Sequence, residues 1–101
     1  MDPDNHSWEE KREYPRRGVL AFARVLQVDR SANYSGKIFN ISPKGMYVET
    51  DAPLDTGDVF HVQVVQSEEL PEGNTYRCAV IWHHTTNDFD TGLFGYGAQF
   101  I

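Results

Sequence analysis

Four cations crowd into seven residues near the start of the chain: Lys11, Arg12, Arg16 and Arg17, relieved only by Glu13. Like charges this close repel one another, and the repulsion falls when an anion joins them. Two chemistries fit such a run: a solvated charged arm, or a seat for a compact phosphate ligand. A second group follows in Asn40-Ile41-Ser42-Pro43-Lys44-Gly45. The Asn40 amide offers an acceptor and donors, and the Ser42 hydroxyl can do either. Asn, Ser, Pro and Gly are also the residues that build turns, so this group reads equally as a plain hairpin loop.

The elements that must position these residues are strands. Val19 to Val28 is rich in β-formers, Ser31 to Gly36 reads as a polar turn, and Lys37 to Ile41 and Met46 to Thr50 flank a hairpin loop at Ser42–Gly45. Pro43 fixes its own φ near −65°, and Gly45 supplies the permissive backbone that tight turns often need. Asp58 to Gln66 alternates Phe60, Val62 and Val64 with a mixed second face. Thr75 to Thr85 sets Tyr76, Cys78, Val80 and Trp82 against Arg77, Ala79, Ile81 and His83, and Phe94 to Ile101 closes the chain. Trp82 and the aromatics of the last strand read as core. Six closely spaced strands without an amphipathic helix predict a small antiparallel barrel, since closure removes exposed edges. Residues 1–17 carry few apolar groups and two prolines, which predicts a flexible arm that binding could order, ahead of a barrel over 18–101.

Composition narrows the function. The net charge is −6 and the pI about 5.0, against a pI above about 9 for a generic nucleic-acid binder. The charge is uneven: residues 1–44 sum to +2 and residues 45–101 to −8. No apolar run approaches the roughly 18 residues of a membrane helix. The acidic opening lacks the features of a secretory signal, and the single Cys78 can form no internal disulfide, so a reducing cytoplasm is expected. The triplets at Asn33 and Asn40 that match glycosylation sites are then accidental. Phosphate-loop, dinucleotide and metalloprotease motifs are missing. His83 and His84 point to opposite faces of a strand and cannot share a metal, and Cys78 reads as a small core residue. No enzyme is expected.

Taken together, Arg12-Glu13-Tyr14-Pro15-Arg16 and Asn40–Gly45 resemble the RxxxR and [D/N]xSxxG signature of the PilZ domain family, bacterial receptors for the second messenger cyclic di-GMP. The gap between the motifs fits. Ile41–Val48, Pro53–Asp58, Ala79–Trp82 and Gly97–Phe100 resemble further stretches of the family, so the likeness spans residues 9–101. It implies a six-stranded antiparallel PilZ-type (split) β-barrel with a flexible N-terminal arm. It also implies a ligand site of Arg12, Arg16, Asn40, Ser42 and Gly45, joined by Lys11, with no metal and no cofactor. The chemistry suits the ligand. A guanidinium forks onto phosphate, stacks on a base, or takes O6 and N7 of guanine together. Asn40 and Ser42 suit the remaining guanine edge, and Gly45 clears space for a close approach. Lys11 can neither stack nor fork as Arg does, which favours one ligand molecule per chain.

The expected function is therefore a receptor module in which arm ordering signals to a downstream protein partner, with no DNA, RNA or membrane insertion. The alternative is a degenerate PilZ-like adaptor that binds protein and no nucleotide. The two arginines favour the first. A single-stranded nucleic-acid barrel is a further option, and it sits poorly with the acidic C-terminal half.

Overall fold

The computed structural model describes residues 17–29, 31–86 and 92–101. They form six strands: β1 (Arg17–Gln27), β2 (Ala32–Ile41), β3 (Gly45–Thr50), β4 (Val59–Ser67), β5 (Thr75–Thr85) and β6 (Phe94–Phe100). The strands close into a barrel in the order β1-β2-β3-β6-β5-β4. Every neighbouring pair is antiparallel, including the β4–β1 seam that completes the ring. The expected six-stranded antiparallel barrel is the observed one.

Period-two alternation fills the interior. Ala21, Ala23 and Val25 of β1, Phe60, Val62 and Val64 of β4, and Cys78 and Val80 of β5 are all buried. Among the described residues Tyr96 is the largest fully buried side chain. Its phenol needs partners to be buried at all, and it finds them in the β3–β4 connection: the hydroxyl donates to the Ala52 carbonyl and accepts the Leu54 amide at 2.8 Å. That pair of bonds pins the connection across one end of the barrel.

Two sequence expectations need correction. The segment read as a polar turn, Ser31–Gly36, is mostly strand: β2 starts at Ala32 and pairs with Gln27. Asn33 and Ser35 are polar because they face outward, and the tight turn lies earlier, where Ser31 adopts φ 54°. Trp82 is not core. The β5–β6 register slips between Val80 and Trp82, and the extra residue, Ile81, is 50% exposed. One inserted residue inverts the alternation, so Trp82 and His84 stand on the outer wall, over β6.

Candidate functional site

The hairpin between β2 and β3 is shaped by Ser42. Its hydroxyl oxygen accepts the amides of Lys44 and Gly45, each at 3.2 Å, and its own amide donates to the Gly45 carbonyl at 2.8 Å. Both lone pairs are thus occupied. Among the described residues the hydroxyl proton has that same carbonyl at 3.5 Å, a long and weak contact. The serine holds the turn and keeps a donor for another acceptor.

Gly45 is needed for a reason other than turn conformation, since its φ is not in the left-handed region. A Cβ built there overlaps the Ala98 carbonyl oxygen and lies 3.1 Å from that carbonyl carbon and 3.3 Å from Gln99 Cα. The missing side chain lets β6 close onto the hairpin root. The Phe100 amide then donates to the Lys44 carbonyl at 2.8 Å.

Asn40 is half-buried on β2, with Gly18 of β1 as its partner on one side and Tyr47 of β3 on the other. Arg17 pairs with Ile41. The chain therefore enters the barrel beside the second motif. Lys11, Arg12 and Arg16, together with the arm expected over 1–17 up to its last residue, lie outside the described residues. The three remaining candidates, Asn40, Ser42 and Gly45, sit together at this one corner.

Beside Asn40 the structure adds an aromatic shelf that sequence alternation missed. Continuing from Asn40, the pairing runs through Tyr47 and Gly97 to Trp82. Tyr47 and Trp82 stack with ring centroids 5.7 Å apart and planes at 22°. Gly97 and Gly95 are bare beneath them, because a Cβ would strike the Trp82 indole at the first and Tyr47 and His84 at the second. The Tyr47 hydroxyl donates to Glu49 Oε2 at 2.7 Å. Having one proton, it accepts from His84 Nε2, also at 2.7 Å. Burial, with Glu49 as acceptor, pushes the phenol well above its ordinary pKa, so it stays protonated. The Gly-x-Gly of the last strand opposite Trp82 was the available signal: bare backbone on an outer face invites an aromatic cover.

Other candidates stay bland. Cys78 is fully buried, and desolvation pushes its thiol up to about 12, which makes it a poor nucleophile. Among the described residues no three His, Cys, Asp or Glu are placed to hold a metal ion. No described helix is long and apolar enough to cross a membrane.

A closed six-stranded barrel with a serine-held hairpin beside the start of β1 defines a small all-β domain. The sequence profile of the PilZ domain matches residues 10–101, and the chain belongs to the PilZ domain family. PilZ domains are generally receptors for cyclic di-GMP and, as a class, binding modules rather than enzymes. No curated protein matches the sequence at a significant level.

Proposed function

We propose that this chain is a receptor for cyclic di-GMP, held between Arg12 and Arg16 on the arm and Asn40, Ser42 and Gly45 on the hairpin, with Lys11 as an added cation. One observation carries the reading: Arg17 pairs with Ile41 and Gly18 with Asn40. Arg16 is covalently next to a residue already seated beside the hairpin. Arg12, five residues from Arg17, is within about 18 Å of it even on a fully extended chain. The first motif is thus tethered within reach of the second, as a single ligand requires.

Each group then has a task. The arginines neutralise the two phosphates and fork onto a guanine edge. The spare Ser42 proton donates to a guanine acceptor, and the Asn40 amide pairs with the same edge. The Tyr47–Trp82 shelf offers a flat face on which a purine can stack. No cofactor is called for. Ordering the arm costs free energy that ligand contacts must offset, and the ordered arm is the signal a protein partner reads.

The test is calorimetric titration of cyclic di-GMP at near-physiological salt, beside the Arg12→Ala/Arg16→Ala double variant. Binding at about micromolar Kd or tighter, lost in the double variant, is expected. A single ligand per chain is the expected stoichiometry, given Lys11. Absence of heat together with an unchanged melting temperature would refute the receptor reading and favour the nucleotide-free adaptor. Amide exchange in residues 9–17 should slow on saturation; unchanged exchange would refute arm ordering as the signal.

A further inference from the structure

The outer face along the β1–β4 seam departs from the rest of the wall. Leu20, Phe22 and Val65 are 49%, 45% and 49% exposed. Val65 follows the buried Val64 outward by plain alternation, and the register slip between the pairs Phe22–Gln66 and Ala23–Val64 turns Gln66 outward beside it. A second slip lies in β1 between Gly18 and Ala21, around Leu20. Leu20 and Phe22 face outward by the regular alternation of β1, between the buried Val19, Ala21 and Ala23.

A cleft of about 290 Å³ opens at the same place, lined in part by Phe22, Arg24, Tyr34, Ser35 and Val65. Charge is arranged around it. Arg24 is exposed, between Ser35 and Gln63, and Lys37 Nζ lies 5.1 Å from the centroid of the Phe22 ring. These cations border an apolar patch on a body that is otherwise rich in carboxylates. Among the described residues the nearby carboxylates are Glu49, opposite Lys37 in the β2–β3 register, and Glu68 and Glu69, which follow Ser67 at the Leu20 end, where the Ser67 hydroxyl donates to the Leu20 carbonyl at 3.1 Å.

We propose that this face docks a segment of a partner protein that presents apolar side chains beside carboxylates. Its apolar groups enter the cleft at Phe22 and Val65, and its carboxylates meet Arg24 and Lys37. A second copy of the chain fits less well, because a face that contacts its own image sets concavity against concavity. A lipid surface fits less well, because Glu68 and Glu69 border the patch and the net charge is −6.

The experiment follows backbone amide shifts of the whole chain, without nucleotide, so its outcome is independent of the receptor reading. The probe is a synthetic peptide of about twelve residues alternating Leu or Phe with Glu, beside a counterpart carrying Lys for Glu. The acidic peptide should shift amides in residues 20–24 and 63–66, and the basic one should not. Arg24→Glu should weaken binding roughly tenfold, and Phe22→Ser should abolish it. Unchanged shift dispersion in both variants checks that the barrel persists. Equal response to both peptides, shifts confined to another face, or no shift at roughly millimolar peptide would overturn the proposal. Binding to phosphatidylglycerol vesicles in place of peptide, or a dimer in sedimentation that Phe22→Ser dissolves, would also overturn it by naming a different occupant.

Discussion

Replacing Gly45 by alanine tests the account of the hairpin root most directly. The new methyl group overlaps the Ala98 carbonyl oxygen and has backbone, not a flexible side-chain end, on its other near contacts, Ala98 C at 3.1 Å and Gln99 Cα at 3.3 Å. Relief requires β3 and β6 to part at the pair Gly45–Gln99. The bonds at risk are those that converge there: Phe100 amide to Lys44 carbonyl and Ser42 amide to Gly45 carbonyl, both 2.8 Å. Losing two backbone bonds at about 1 to 1.5 kcal/mol each, with part of the burial of Ala98, amounts to roughly 2–4 kcal/mol. For a domain of this size that lowers Tm by roughly 10–25 °C. Urea and thermal unfolding measure it, with Gly18→Ala as the control. Gly18 has nothing within 4 Å of a built Cβ, so its change should stay within about 0.5 kcal/mol. A Gly45→Ala variant within about 1 kcal/mol of the parent would refute the claim that β6 fixes this position.

Tyr96→Phe removes the partner of two buried backbone groups, the Ala52 carbonyl and the Leu54 amide; a loss of roughly 2–4 kcal/mol is expected, with faster amide exchange in residues 52–54 as the local sign. Burial raises the pKa of Cys78 to about 12 from 9.0. The unfolded chain therefore releases that proton first, stability is fully present below about pH 9 and falls as pH rises from there, and the Tm of the parent should fall relative to that of Cys78→Val as pH rises above about 9. In the native state Cys78 should resist a thiol reagent at pH 8 that labels it fully once unfolded. Trp82→Ala exposes Gly97 and removes half of the stacked pair, so cyclic di-GMP affinity should fall by about 1–3 kcal/mol in calorimetry while the barrel stays folded; unchanged affinity would remove the shelf from the site.

The sequence carried most of the barrel. The alternation of Phe60, Val62 and Val64 announced β4, and β5 spans the expected Thr75–Thr85. What alternation could not carry were the places where it breaks. Trp82 reads as core on a regular strand, and one bulge at Ile81 turns it out. Asn33-Tyr34-Ser35 reads as a turn because outward polar residues on a strand end have the composition of a loop. At the candidate site, residue types and order were legible. The reason for Gly45 was not, because it depends on β6, which is distant in sequence, closing to Ala98. Nor was the Tyr47–Trp82 shelf, which exists only after the bulge.

The slip in β1 has a consequence for the spacing between the two motifs. From Gly18 to Ala21 the strand takes three steps while β2, from Ile38 to Asn40, takes two. The gap from Arg16 to Asn40 is thus a count of residues out along one wall and back along its neighbour, corrected by one. Lengthening both strands equally would make a taller barrel and still return the chain to Asn40, so the gap can change in twos. Deleting a single residue around Val19 or Leu20 would instead remove the correction. Arg17 and Gly18 would then meet β2 one residue out of step with Ile41 and Asn40, and a receptor that needs both motifs would lose its match between them.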